Sequence, residues 1–225
     1  TIYLTVTQIN CSDELLLNWN FYDNWTAGVF EYEIWVDRNF AGSAPVDDVT
    51  NTSNSYSLTG INDGDNVCIT VQAKRADGTA VAMSNEVCLL VNIVQAADYT
   101  VIRNVTVNGP AQIGVEWYPD TNADLEKVSI QRSSDNIEYV NLTTYPIGLP
   151  IPVVDSYNDN SIATNAISFY YRIITIDSCD NQDTSGYAKS IVLKGNDNAN
   201  FTNTISWTGF EIQDGIVQEY RIYRD

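Results

Sequence analysis

The sequence predicts an all-β protein made of tandem β-sandwiches. Segments such as "TIYLTVT", "YTVIRNVTV" and "FYYRIITI" alternate and are rich in Val, Ile, Thr and Tyr, as half-buried strands are. Turn signals separate them, among them Asp77-Gly78 and Asn108-Gly109. No long stretch combines helical spacing with helix caps. The fold class expected is therefore all-β.

An internal repeat divides the chain. The stretch "LNWNFYDNWTAGVFEYEIWVD" (17–37) resembles the last one, "ISWTGFEIQDGIVQEYRIYRD" (205–225). Trp117 follows Trp19 by 98 residues, and Trp207 follows Trp117 by 90. A sandwich of immunoglobulin type takes about 100 residues, which fits this period. We therefore expect two whole sandwiches and the first strands of a third, with domains at 1–95, 96–194 and 195–225.

The first domain carries the motifs of a known family. Its second half, "SYSLTGINDGDNVCITVQAKRADGTAVAMSNEVCLLV" (55–91), resembles a fibronectin type III domain. The motif positions of that family fall on Tyr56, Leu58, Gly60, Ile61, Val71, Ala73, Gly78, Ser84 and Asn85. The resemblance implies that the buried core tryptophan of the second strand is Trp19, Trp117 or Trp207 in the three repeats. It also implies a tyrosine corner at Tyr170, a place that Val67 holds in domain one.

The strands follow from this template. In domain one they are expected at 2–8, 14–20, 30–37, 54–59, 66–75 and 81–93. In domain two they are expected at 99–107, 111–118, 126–133, 137–143, 151–157, 168–177 and 184–194. The third repeat should contribute only a hairpin, which cannot bury enough apolar area to stand alone. Its support must come from domain two, from another chain, or from further residues.

The charge balance narrows the partners. The chain has 11 basic and 29 acidic residues, a net charge of −18. Such a surface repels phosphate backbones and anionic lipids, so we expect neither nucleic-acid binding nor binding to a membrane surface. No apolar run reaches the length of a membrane span, so we expect no membrane insertion.

Catalysis is not expected. The chain contains no histidine, the commonest general base and zinc ligand. "DTSG" at 183–186 invites comparison with the Asp-Thr/Ser-Gly motif of aspartic proteases, which need two carboxylates sharing a proton. The other repeats offer no second copy, so Asp183 is interpreted as a turn residue. We expect no enzyme, no catalytic residue and no cofactor.

A narrower resemblance concerns location. The segments "SWTGFEIQDGIVQEYRIYRD" and "YYRIITIDSCDNQ" resemble repeats that precede the gliding-motility-associated C-terminal domain in large Bacteroidota surface proteins. That resemblance implies an extracellular, cell-surface adhesin exported by the type IX secretion machinery, with a role in surface adhesion or gliding motility. Thr1 opens directly on a strand pattern, so we expect a piece from within a longer secreted chain.

An aromatic loop is the candidate binding site. Between the second and third strands of domain one the sequence places Phe21, Tyr22, Trp25 and Phe30, and the third repeat offers Phe210 and Ile212. Such residues either stack on surface glycans or pack against a neighbouring repeat. Because the apolar loop recurs, packing between repeats is favoured. The chain is thus expected to be a stalk or spacer, and the alternative is a carbohydrate-binding module.

Acidic loops raise the question of a metal. The family topology gathers Asp13, Glu14, Asp63 and Asp65 at one pole of domain one, and Asp98, Asp177, Asp180 and Asp183 at the facing pole of domain two. Carboxylates suit a hard cation such as calcium, but loops also collect Asp for turn geometry. No EF-hand spacing is present. No metal site is assigned, and a junctional calcium remains an alternative.

The four cysteines are predicted to form disulfides. A hairpin centred on Gly78 sets Cys68 opposite Cys88, near the separation that a disulfide requires. The remaining Cys11 and Cys179 lie on loops at facing poles of the two domains. The topology therefore predicts a Cys11–Cys179 bridge, which would clamp a secreted filament. The alternative is that both stay reduced.

Overall fold

The computed structural model describes residues 1–213 and 215–223. Every regular element in these residues is a strand, so the fold is all-β, as the alternation predicted. No helix in the same residues is long and apolar enough to cross a membrane. The chain forms two compact units, Thr1–Val94 and Gln95–Asp225.

The first unit is a sandwich of two sheets. Its strands are β1 (Leu4–Gln8), β2 (Leu15–Trp19), β3 (Val29–Arg38), β4 (Ala44–Thr50), β5 (Ser55–Leu58), β6 (Asn66–Arg75), β7 (Val81–Met83) and β8 (Val87–Leu90). One sheet has the order β1-β2-β5, and the other has the order β4-β3-β6-β7 with β8 also on β6. Leu15 and Leu17 from the first sheet meet Tyr32 and Ile34 from the second, and all four are fully buried.

Strand β4 was missed by the sequence prediction. Its residues, "APVDDVT", are acidic, include Pro45 and are almost all exposed. They show little of the apolar alternation that identifies a half-buried strand. The strand forms because it lies at the sheet edge on β3, where a proline is tolerated.

A serine separates β7 from β8. The Ser84 hydroxyl accepts a hydrogen bond from the Val71 amide at 2.9 Å, while the Ser84 amide donates to the Val71 carbonyl at 2.9 Å. The next residue, Asn85, uses its side chain to bond both the amide and the carbonyl of Leu4. These bonds interrupt the last strand and tie the first strand to it. The Ser-Asn pair of the family motif therefore has a defined structural role.

The second unit repeats this architecture. Its strands are β9 (Thr100–Gly109), β10 (Gln112–Pro119), β11 (Leu125–Ser133), β12 (Val140–Pro146), β13 (Asp155–Asp159), β14 (Tyr170–Asp177), β15 (Gln182–Thr184), β16 (Ala188–Lys189), β17 (Leu193–Asn198), β18 (Thr202–Trp207) and β19 (Glu211–Ile212). The two sandwich sheets are β13-β10-β9 and β12-β11-β14-β16-β19, with β15 also on β14. Trp117, Val115 and Tyr171 are fully buried in the core between them.

Beyond the sandwich, β17 and β18 form a hairpin of their own. Strand β19 then joins the sandwich sheet by pairing with β16. We call residues 193–213 and 215–223 the C-terminal segment. They cover most of the predicted third repeat, whose last two residues, like Asp214, lie outside the described ones.

The strand order identifies the fold. Each unit packs a three-stranded sheet made from its first, second and fifth main strands against a sheet made from the others. This is the fibronectin type III-like arrangement that the motifs implied. The predicted domain limits stay a prediction.

Candidate interaction sites

The aromatic loop of the first unit comprises residues 20–28, between β2 and β3. Tyr22 and Trp25 are half-buried, pack on the core and contact each other edge to face at 4.6 Å. The Tyr22 amide donates to the Tyr32 hydroxyl at 2.8 Å. Asp23 and Asn24, between the two aromatic residues, are exposed. The loop is thus pinned at both sides and presents its middle outward.

Two further aromatic side chains are exposed, Phe21 within this loop and Phe30 in β3 just after it. Phe21 is 47% and Phe30 62% accessible, and both line a groove of about 400 Å³. Of the four predicted site residues, the structure therefore uses Tyr22 and Trp25 to brace the loop. It leaves Phe21 and Phe30 available for contact.

The C-terminal segment repeats the local structure of the aromatic loop. Trp207 and Tyr220 lie 5.6 Å apart at 54°, as Trp19 and Tyr32 lie 5.5 Å apart at 57°. The Phe210 amide donates to the Tyr220 hydroxyl at 2.9 Å, as the Tyr22 amide does to Tyr32.

The strand entering this segment matches the first strand of the chain. Leu193 pairs with Trp207 as Leu4 pairs with Trp19. The Val192 amide bonds the Thr208 side chain, as the Tyr3 amide bonds Asn20. Residues 207–220 therefore correspond to 19–32 without insertion.

In this segment the loop has a partner. Ile212 pairs with Ala188 and Glu211 pairs with Lys189, so β19 extends the sheet of the preceding sandwich. The Gln213 amide donates to the Tyr187 carbonyl at 2.9 Å. Phe210 and Ile212 pack against the core of the second unit. The second unit therefore supports this segment, which was one of the alternatives that the sequence left open.

Charge complements this pairing. Lys189 contacts Glu211 at 2.5 Å and lies over the Tyr170 ring at 5.1 Å. The hydrogen bond to Glu211, followed by one to Tyr170, raises the pKa of Lys189 above its ordinary value. Tyr170 packs edge to face on Tyr187 at 5.6 Å.

The predicted core markers separate into two groups. Trp19 is 3% exposed and Trp117 fully buried. Trp207 is 38% exposed, because the C-terminal segment provides no second sheet to cover it. On β14 the fully buried tyrosine is Tyr171, whereas Tyr170 points toward Glu211 and Tyr187. The position of Tyr170 corresponds to Cys68 and not to Val67, since Tyr170 pairs with Lys189 as Cys68 pairs with Cys88.

A buried charged network was missed by sequence reasoning. The Asp159 carboxylate is 1% exposed and accepts hydrogen bonds from Arg132 at 2.6 Å and from the Tyr171 hydroxyl at 2.9 Å. Ser161 adds bonds from its amide and its hydroxyl. Burial raises the pKa of Asp159, but the bonds from Ser161, Tyr171 and Arg132 outweigh it, so the pKa is lowered. The available signal was an arginine ending the alternating run "KVSIQR".

One of the two predicted disulfides is confirmed. Cys68 and Cys88 form a disulfide across directly paired positions of β6 and β8, with 4.0 Å between their Cα atoms. Neither Cys11 nor Cys179 is a free thiol. The pairing of Cys11 with Cys179 stays a prediction.

The acidic residues of the first unit serve its turns. Asp13 accepts from the Gly60 amide, Asp63 from the Ile93 amide, and Asp65 from Asn62 and Asn39; Glu14 accepts from the Ser57 hydroxyl. These bonds give the carboxylates a structural use, and nothing in the structure tests the alternative of a junctional calcium. Cys68, Glu86 and Cys88 also cluster, but the disulfide occupies both sulfur atoms.

The acidic residues of the second unit have similar uses. Asp177 is 1% exposed and accepts from the amides of Cys179 and Asn181. Asp180 lies 3.4 Å from Lys127. Asp183 differs: it lies in β15, paired with Thr175, so its interpretation as a turn residue was wrong.

The serine of "DTSG" repeats the role of Ser84. The Ser185 hydroxyl accepts from the Ile173 amide at 2.9 Å, and its amide donates to the Ile173 carbonyl. The motif is therefore accounted for by strand geometry.

Comparison with known proteins gives little further guidance. No family model matches the chain, and no curated protein matches it. A solved two-domain fibronectin type III segment from chicken tenascin is similar over 80% of this chain and 94% of its own, at 12% identity and a TM-score of 0.34. At that score the fold assignment depends on the strand order and not on this likeness.

Proposed function

We propose that this chain is a non-enzymatic spacer and interaction module of a secreted cell-surface adhesin, in which successive sandwiches support one another. One observation carries the proposal: β19 of the C-terminal segment pairs with β16 of the preceding sandwich. Phe210 and Ile212 also bury apolar surface on that sandwich. A segment joined by backbone bonds, an ion pair and apolar contact resists swinging more than a free linker does.

The oxidising setting of such a protein agrees with its cysteines. Cys68–Cys88 is a cross-strand disulfide, and disulfides persist mainly in extracellular or periplasmic space. The resemblance to repeats of Bacteroidota surface proteins extends the proposal to export by the type IX secretion machinery and to surface adhesion or gliding motility.

The spacer role is tested by a glycan array probed with the chain. A spacer predicts no binding above background at micromolar concentration. Specific binding that Phe21→Ala and Phe30→Ala both abolish would contradict it. Val81→Ala, also at an exposed apolar site but outside the groove, is the matched control.

The second candidate function is carbohydrate binding. Exposed Phe21 and Phe30 line the groove beside the aromatic loop, and aromatic faces stack on sugar rings. The same array decides between the two functions. The spacer is favoured because the corresponding loop in the C-terminal segment is already engaged by protein.

A further inference from the structure

The aromatic loop of the first unit and its copy in the C-terminal segment differ in one respect. Both have the tilted Trp–Tyr pair and the amide-to-tyrosine bond described above. In the copy, Glu211 and Ile212 form strand β19 on a neighbouring sheet. In the first unit the corresponding residues, Asp23 and Asn24, are exposed. The loop of the first unit therefore has the same local structure as the paired one, but none of the strands described in the first unit pairs with it.

We propose that the aromatic loop is the docking site for the free edge of the last strand of another sandwich repeat, one of the second unit's kind. This inference deepens the proposed function, on which it rests, by naming the partner of one surface. Asp23 corresponds to Glu211, Asn24 to Ile212 and Trp25 to Gln213. An antiparallel strand pair should form over these three residues.

Charge specifies the partner further. In the existing joint Glu211 faces Lys189, and Asp23 keeps the negative charge at the corresponding place. The partner strand should therefore carry a cation where β16 carries Lys189. Tyr22, in the place of Phe210, should cover apolar surface beside that strand, as Phe210 does in the second unit.

The sequence at the start of the chain fits the same joint. Ser190-Ile191-Val192-Leu193 links β16 to the C-terminal segment, and Thr1-Ile2-Tyr3-Leu4 stands at the corresponding place before the aromatic loop. The bonds of Val192 to Thr208 and of Tyr3 to Asn20 confirm that correspondence. A repeat ending like the second sandwich could therefore enter the first unit without any change of register.

The test uses the full chain and an extended form of it. The extended form carries a second copy of residues 95–190 joined directly to Ile2, so that the added sandwich precedes the first unit. Amide hydrogen exchange is measured in both proteins at Trp25, the residue that corresponds to Gln213, whose amide bonds the Tyr187 carbonyl in the existing joint. We expect exchange there to slow by about tenfold or more in the extended form. Equal rates in the two proteins would overturn the proposal.

A charge exchange makes the test specific. Lys189→Glu in the added copy places a second negative charge opposite Asp23 and should remove the protection of the amide. Adding Asp23→Lys restores a pair of opposite charges and should restore the protection. Phe30→Ala, an exposed aromatic residue outside the corresponding contacts, is the matched control and should leave protection unchanged. Peptides of β10 and β14 come from both copies of the sandwich, and slow exchange in the whole population of these peptides verifies that each variant is folded. Equal amide protection in all of these charge variants would overturn the proposed register.

The outcome is separable from that of the proposed function. A silent glycan array with an unprotected Trp25 amide would retain the spacer and reject this joint. A glycan-binding chain with a protected Trp25 amide would retain the joint and reject the spacer as the sole role.

Discussion

The two sandwiches solve the same packing problem in different ways. Strand pairing shows which positions of the two sandwiches correspond. Leu58 pairs with Leu15 in the first unit, and Asp159 pairs with Ile113 at the same place in the second. Likewise, Val36 pairs with Ile69, and Arg132 pairs with Tyr171. The first unit therefore has an apolar trio, Val36, Leu58 and Ile69, where the second has Arg132, Asp159 and Tyr171. Both trios are largely buried.

The difference continues at the neighbouring position. The Cys68–Cys88 disulfide of the first unit is replaced by Tyr170 and Lys189 in the second. The disulfide links two strands of the first unit, whereas Lys189 forms an ion pair with Glu211 of the C-terminal segment. One backbone template therefore accommodates either an internal cross-link or a contact with the following segment at the same position.

The largest expected effect comes from breaking the charged trio. Asp159→Ala leaves Arg132 buried without its partner and should destabilise the second unit by about 3–5 kcal/mol. Urea unfolding followed by hydrogen exchange in peptides of β11 and β14 measures this loss. The triple variant Arg132→Val, Asp159→Leu, Tyr171→Ile installs the first unit's trio and should recover most of it. A triple variant as unstable as Asp159→Ala would show that the two trios are not interchangeable.

Removing the disulfide should have a slightly smaller effect, confined to the first unit. Replacing Cys68 and Cys88 by Ala releases a loop with a sequence separation of 20, which should cost about 3 kcal/mol. Calorimetry should show a lower melting transition for the first unit only. Lys189→Ala, at the corresponding position of the second unit, is the control and should leave the melting transition of the first unit unchanged. An unchanged first-unit transition would mean that the cross-strand bridge does not constrain the unfolded chain.

Acid should distinguish the two units next. The folded pKa of Asp159 lies below its unfolded value, so its stabilising contribution is full above the unfolded pKa, near 4, and is lost as the pH falls through the lowered pKa. Asp155 opposes this in part, since burial raises its pKa. We expect the stability of the second unit to fall more between pH 5 and about pH 2 in the wild type than in the triple variant. Parallel losses, read by urea unfolding at each pH, would contradict the role of Asp159.

The smallest effect concerns the ion pair of the joint. Glu211→Gln removes the charge opposite Lys189 on a partly exposed surface and should cost under about 1 kcal/mol. Faster amide exchange at Gln213, which donates to the Tyr187 carbonyl across the joint, with unchanged exchange in β10, would show it. Glu219→Gln, an acidic residue outside β19, is the matched control. Equal effects of Glu211→Gln and Glu219→Gln would show that the ion pair does not stabilise the joint.

Much of this structure could be predicted from the sequence, for a physical reason. Alternation in β2, β3 and β6 reports burial on one face, and the Asp77-Gly78 turn sets Cys68 opposite Cys88. Local signals of that kind determine strands and hairpin pairs. The position of Tyr170 was misassigned because two adjacent tyrosines point to opposite faces, and only the register decides which is buried.

The joint and the charged trio were harder to predict. Residues 211–212 are too short to show alternation, and they become a strand only because the edge of β16 is beside them. Arg132 and Asp159 are 27 residues apart and meet only across the two sheets. Such contacts depend on tertiary structure, which no window of the sequence contains.

The most direct test of the central claim, that a segment following one sandwich locks onto it by strand pairing, is amide exchange at Gln213. Its amide donates to the Tyr187 carbonyl across the joint. We expect this amide to exchange as slowly as that of Ser190, which donates to Phe169 within the sandwich. Exchange at the rate of an unstructured peptide, with Ser190 still protected, would show that the segment is not joined to the sandwich and would contradict the claim.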